Sequence, residues 1–260
     1  MIIIKKYFKY IGLIAICMAS FFYTERVALY VKNKNPIMKE IREVKESKYQ
    51  EAINCSIIED TYIIPGLNGK YINEDASFYN MVTSNYDENL LVFKELKPNI
   101  SIEDHKDKII IRGNHNKNAV SIIFESINSL SSHLIQNNFQ VNLLIKEEIN
   151  NAEYELINNA KSEFVYKKID NYLKKQNLNN NLCYTNDDTI PKLCKDKYTF
   201  THSVEVNHSN LSTVKNTISS GDIILIKESL TIPELEVLIN QILYRDLSII
   251  PISELISESN

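Results

Sequence analysis

Tryptophan is absent from this 260-residue chain and glycine nearly so, with five residues of which only Gly221 lies beyond position 113. Glycine averages about 7% of residues, so the C-terminal half has few positions where backbone can approach a ligand closely. Without tryptophan the broadest platform for stacking on a sugar is missing, although fifteen tyrosines remain. No Gly-rich phosphate loop and no GxSxG elbow occurs, which argues against P-loop and α/β-hydrolase chemistry. The four cysteines, Cys17, Cys55, Cys183 and Cys194, form no CxxC pair, which argues against a zinc ribbon or thioredoxin-like site. An excess of basic charge is lacking too: the net charge is −4, so nothing suggests a nucleic-acid partner, and neutral or small partners are expected.

What is present begins with Lys5, Lys6 and Lys9 ahead of an apolar run from Tyr10 to Tyr23. That run is short of the ~20 residues of a usual spanning helix, so residues 1–26 read as a membrane anchor over Tyr7–Tyr23 or as a cleaved signal segment. Bulky Ile16 before Cys17 disfavours lipoprotein processing. An uncleaved anchor would put the remainder outside the cytoplasm, and cleavage would make the protein secreted.

Residues 27–59 read as a helical stalk. Within Pro36 to Ala52, Ile37, Ile41 and Val44 share a face, which suits a solvated spacer or a helix packed on the domain. Residues 60–117 form a small region of unassigned role, with turn signals at Pro65-Gly66 and Asn68-Gly69 between Thr61–Ile64 and Tyr71-Ile72 that suggest a small hairpin or loop. Lys108 to Arg112 reads as a strand.

From Asn118 onward, apolar runs alternate with helical spacing. Ala119–Phe124 and Gln140–Ile145 read as strands, Ser126–Asn138 and Phe164–Gln176 as helices, Tyr198–Val206 as a further strand and Leu211–Ser219 as a helix. Next come a strand from Asp222 to Lys227, a helix opened by a Thr231/Glu234 capping box with Pro233 in its first turn, and a second apolar run at Leu247–Ile250. Strand, crossover helix and strand of these lengths imply parallel pairing.

The order of these units over about 118–258 resembles the NodB-type polysaccharide deacetylases. Ala119–Phe124 followed by Glu125-Ser126 stands where that family has Val-x-Leu-Thr-Phe-Asp-Asp-Gly. Tyr154–Asn159 looks like a worn Gly-His-Glu-Ile-Gly-Asn-His, Leu182-Cys183-Tyr184 falls at Arg-Pro-Pro-Tyr, and Leu247–Leu255 matches the closing hydrophobic strand and Ser-Glu-Leu. The resemblance implies an α/β fold, a shortened and distorted (β/α) barrel, and a site for a divalent metal that polarises an N-acetyl carbonyl.

Carried over position by position, Glu125 would be the catalytic base, Ser126 would replace a metal-ligating Asp, and Asn159 and Glu163 would replace the two metal-ligating His. Leu182 would replace the orienting Arg, Lys227 the His acid, and Tyr184 would bind substrate. The missing imidazoles predict that no cofactor is bound, the alternative being an atypical divalent site such as zinc. Plain readings stand beside these. Glu125 and Glu163 suit helix N-termini, and Lys227 with Glu228 suits an exposed charge pair. His202 and His208, with Asp187 and Asp188, form the one alternative metal group. Cys183 and Cys194 flank a turn-rich stretch and are either buried thiols or, outside the cytoplasm, a disulfide with Cα atoms within about 7 Å. The resulting expectation is an extracytoplasmic, catalytically degenerate deacetylase-like protein that binds cell-wall glycan or a protein partner. The alternatives are an active deacetylase with atypical ligands and a structural envelope protein.

Overall fold

The computed structural model describes residues 2–149 and 153–259, with side chains from Leu13 onward. Helices α1 (Ile2–Lys34) and α2 (Pro36–Lys45) are followed by strands β1 (Ser56–Ile58), β2 (Tyr62–Ile64) and β3 (Gly69–Ile72). Helix α3 (Glu74–Met81) and strands β4 (Phe93–Leu96), β5 (Ile109–Ile110) and β6 (Ala119–Phe124) come next. Then follow α4 (Ser129–Gln136), β7 (Val141–Ile145), β8 (Tyr154–Asn158), α5 (Glu163–Lys175) and β9 (Leu182–Tyr184). The chain closes with β10 (Tyr198–Phe200), β11 (Val204–Val206), α6 (Leu211–Val214), β12 (Ile223–Ile226), α7 (Ile232–Tyr244), β13 (Ser248–Ile249) and α8 (Ile252–Ile256). Two compact units result, one of residues 1–51 and 69–96 and the other of 52–68 and 97–260.

In the first unit, α1 continues past Thr24–Arg26, where the sequence pattern closes the membrane segment. Val27 to Val31 prolong the apolar character, and no helix-breaking residue occurs before Pro36, which disfavours helix at Asn35. Its Leu13–Lys34 part, 22 residues of mean hydropathy 1.4 with none of the apolar window buried, is long and apolar enough to cross a membrane, a test that a signal sequence also passes. Lys5, Lys6 and Lys9 and the part of the expected anchor from Tyr7 to Gly12 have side chains outside the described residues. Asn35 caps α2 by accepting from the Ile37 N–H at 2.9 Å. Rather than forming a solvated spacer, α2 buries Met38 and Ile41 against Ile72, Phe78 and Met81. Arg42 and Lys45 fasten it to Glu74 at 3.0 and 2.7 Å.

The hairpin expected across Asp60–Asn73 does not form. Tyr62–Ile64 pairs antiparallel with β1 and parallel with β5, whereas Gly69–Ile72 pairs with β4. The turn residues between them are taken up elsewhere: Leu67 exchanges both backbone hydrogen bonds with Ile53, at 2.9 and 2.8 Å.

The second unit contains two sheets, of order β1-β2-β5-β10-β9 and β11-β12-β6-β7-β8, the latter parallel throughout, with β13 beside the start of β6. Alternation along β6 explains the layering. Val120, Ile122 and Phe124 join a core with Leu134, Ile169 and Leu238 of α4, α5 and α7. Ala119 and Ile123 face the opposite way, toward Ile63, Ile110, Leu182 and Phe200 of the five-stranded sheet. Strands buried on both faces read as continuous apolar runs. β12 and β13 are both parallel to β6, which lies between them, so the crossover through α7 spans one strand.

The sheets do not close into a barrel among the described residues. A strand has two hydrogen-bonding edges, and those of β10 are occupied by β5 and β9. The stretch read as one strand, Tyr198–Val206, therefore changes sheets at Thr201–Ser203. There the Thr201 N–H bonds Ile110 in one sheet and the Ser203 N–H bonds Ile223 in the other, both at 2.9 Å. The helix read over Leu211–Ser219 is confined to Leu211–Val214. Cys183 and Cys194 are disulfide-bonded, with Cα atoms 5.6 Å apart. The free Cys55 is buried, and its thiol donates to the Glu258 carboxylate at 3.0 Å.

Candidate functional site

Parallel strands deliver the residues that follow them to one end of a sheet. Glu125 follows β6, Lys227 follows β12 and Glu205 lies in β11, the strand on the other side of β12. The Lys227 ammonium donates to Glu125 at 3.1 Å and lies 3.6 Å from Glu205. Burial works to lower the Lys227 pKa, but its hydrogen bond to Glu125, followed by the charges of Glu125 and Glu205, outweighs burial and holds the pKa above its ordinary value.

Tyr184, at the end of β9, extends this group. Its ring packs 5.6 Å from that of Phe200 and 6.2 Å from that of His202. Its hydroxyl donates to Asn186 Oδ1 at 2.5 Å and lies 2.8 Å from His202 Nδ1. A phenol has one proton, so this network assigns the Nδ1–H tautomer to His202 and leaves Nε2 as an acceptor. Burial raises the Tyr184 pKa, and the charges of Glu125 and Glu205 add to the effect.

His202 is half-buried, and burial lowers its pKa; Glu205 raises it, Lys227 lowers it and Glu125 raises it, with burial prevailing. As pH falls below about 6.5, the imidazole value in an unfolded chain, the unfolded state takes up this proton before the native state does. The native contribution is therefore present above that pH and is lost on acidification. We expect the His202 ring resonances to titrate below about 6.5, and a His202→Gln variant to lose stability less steeply on the acid side. A midpoint at or above that of a free imidazole would refute the assignment.

The positions that the resemblance implies for a metal are otherwise engaged. The Ser126 hydroxyl donates to Glu228 at 2.5 Å. Glu163 opens α5 with its side chain 67% exposed and paired to Lys167 at 2.6 Å, which lowers its pKa. Asn159 is half-buried just after β8, and its N–H donates to Ile145. β8 is two strands from β6, or about 10 Å. Leu182, which the resemblance sets at the position of an orienting Arg, is buried between the sheets. His208 pairs with Glu234 at the start of α7, and Asp188 accepts from Tyr62, so the alternative group of His202, His208, Asp187 and Asp188 is dispersed. Among the described residues no three His, Cys, Asp or Glu side chains gather to hold a metal. A hydroxyl, an amide, one carboxylate and an ammonium do not suit zinc, which takes thiolate, imidazole or carboxylate.

Sequence reasoning missed Glu205 and Asn186 and placed His202 in the wrong group. The sequence carried no clear signal for Glu205, because β11 is a half-buried edge strand in which an acid between Val204 and Val206 needs no buried partner.

No family model and no curated protein matches the chain. Among solved structures it is similar to wild-type BA3943 from Bacillus anthracis, a CE4 family pseudoenzyme. The TM-score is 0.58 at 19% identity, over 87% of this chain and 97% of that one. A BA3943 mutant with restored enzymatic activity gives a TM-score of 0.58 at 19% identity, over 86% of this chain and 98% of that one. At such identity the likeness is one of fold. The chain has the CE4-type fold, that of the NodB-type deacetylases which its motif order resembles.

Proposed function

We propose that this CE4-type chain is a non-catalytic glycan-binding protein held at the outer face of a membrane by α1. The observation that carries the reading is the ammonium of Lys227 lodged between Glu125 and Glu205. A cation already engages the carboxylate that a deacetylase would use as base. A general acid works best with a pKa near the working pH, whereas Lys227 is held well above it. The donors at Ser126, Asn159 and Glu163 give a metal neither imidazole nor thiolate.

BA3943, similar in fold, is itself a pseudoenzyme, and a mutant of it has restored enzymatic activity. Tyr184 is buried with its hydroxyl engaged by His202 and Asn186, so it would shape the site from beneath rather than stack on a sugar. The length and apolar character of α1 favour anchoring. The Cys183–Cys194 disulfide favours an oxidising compartment.

The test is made on the full chain in detergent, with metal analysis, acetate release from chitin or peptidoglycan oligomers, and titration with the same oligomers. We expect no stoichiometric zinc, no acetate, and saturable binding that chelator leaves unchanged. Stoichiometric zinc, or acetate release abolished by Glu125→Gln, would make the protein an active deacetylase instead. Neither binding nor turnover would shift the role to a protein partner.

A further inference from the structure

The acidic balance of the whole chain conceals a local excess of the opposite sign. A cleft of about 510 Å³ lies between α5 and the segments on either side of β9, within the size range of ligand sites. Lys167, Lys174, Lys192, Lys195 and Lys197 line it, against three carboxylates, Glu163, Asp170 and Asp196. The local balance is thus positive, in a protein of net charge −4.

These lysines differ in their commitments. Lys197 pairs with Asp170 and stands 4.9 Å over the Tyr166 ring, Lys174 shares Asp170 at 3.6 Å, and Lys167 is held by Glu163. Lys192 and Lys195 are exposed and enter no ion pair among the described residues. Their backbone is nevertheless held in place. Lys192–Cys194 is a 3₁₀ turn, closed by the Cys194 N–H on Pro191 at 2.8 Å and followed by the Lys197 N–H on Cys194 at 3.0 Å. The disulfide ties that turn to β9. Two lysines carried on the backbone of a short, cross-linked loop lose less entropy on meeting a ligand than two on a mobile one.

We propose that this cleft binds a polyanionic chain, one that carries phosphate or carboxylate groups at intervals, with Lys192 and Lys195 as its principal contacts. Successive anionic groups would bridge the two uncommitted ammonium ions, while Lys167 and Lys174, already shared with carboxylates, contribute through the field of the cleft. The site is separate from the Tyr184 group and does not depend on glycan binding there. Lysine supplies point charge without a planar fork, so the geometry discriminates little between phosphate and carboxylate. The source of the anion is therefore left to the arms of the experiment.

The full chain in detergent, with its disulfide intact, is titrated with inorganic polyphosphate in one arm and polygalacturonate in the other, with neutral dextran as control. Saturable binding is expected at low salt for at least one polyanion, with none for dextran and with loss at high salt. Lys192→Gln with Lys195→Gln is expected to weaken it by about fivefold per lysine, whereas Lys192→Arg with Lys195→Arg retains it. Both variants are at exposed positions, and unchanged melting confirms that they fold. Preference for one polymer identifies the source of the anion. Equal affinity in the Gln variant, binding of dextran, or no saturable binding of either polyanion overturns the proposal.

Discussion

Gly221→Ala is expected to destabilise the protein by about 4 kcal/mol, the largest effect of any single substitution considered for this chain. Gly221 has φ +89°, a backbone conformation that L side chains rarely adopt, and a Cβ built there would lie 2.3 Å from the carbonyl oxygen of Gly113. Backbone strain of this kind costs about 1–3 kcal/mol, and forcing an atom into a filled site costs about 1–3 kcal/mol more. The neighbouring backbone cannot give way cheaply. The Gly221 N–H donates to Ala119 at 2.7 Å, and the Gly221 carbonyl accepts from the Gly113 N–H at 2.8 Å. These bonds set the start of β12 against the start of β6, so a shift would propagate into the strands that carry Glu125 and Lys227. Thermal unfolding should show a fall of roughly 8–16 °C for a domain of this size. A change of under about 1 kcal/mol would mean that the junction relaxes without cost. The glycine that stands alone in the C-terminal half thus owes its place to packing between strands.

Removal of the Cys183–Cys194 disulfide, by Cys183→Ser with Cys194→Ser, is expected to lower stability by about 3 kcal/mol. The sequence separation is 11 residues, and a loop of that length loses about that much chain entropy when it is closed in the unfolded state. Both cysteines are buried, and they hold the loop after β9, so the loss should also loosen Tyr184 and the turn that bears Lys192. The check is denaturant unfolding of the wild type and the double variant. It is accompanied by a thiol count under non-reducing denaturing conditions, which should find only Cys17 and Cys55. Four titratable thiols in protein isolated from its own host, or equal stability of the variant, would remove both the disulfide and its support for an extracytoplasmic site.

Local structure in the C-terminal half follows from residues close together in the chain. Thr231 and Glu234 are three positions apart, and the Glu234 carboxylate accepts from both the N–H and the hydroxyl of Thr231, at 2.9 and 2.8 Å. α7 then runs to Tyr244, where the apolar spacing ends. Ile223–Ile226 is apolar without a break, and Ala119–Phe124 is apolar but for Ser121, whose hydroxyl donates to the Ile250 carbonyl, because both faces are covered. Such elements need only the periodicity of a single turn or pleat to declare themselves.

Edge pairing and the make-up of the site are of another kind, because they join residues far apart. Glu125 and Lys227 are 102 positions apart and meet only because β12 lies against β6. Nothing around Ile109-Ile110 states that this pair will enter between β2 and β10, yet its presence there occupies the edge that a closed barrel would need and sends Val204–Val206 to the other sheet. An apolar run declares that it will be buried, but not which neighbour's N–H and C=O groups it will meet. Those partners are chosen by the simultaneous satisfaction of every strand edge and every packed face, which exists only in the assembled molecule. Likewise, the chemical types of Glu205, Lys227, His202 and Tyr184 are written in the chain. Their gathering at one end of the strands is a property of the tertiary structure, since only strand pairing brings residues so far apart in the chain together.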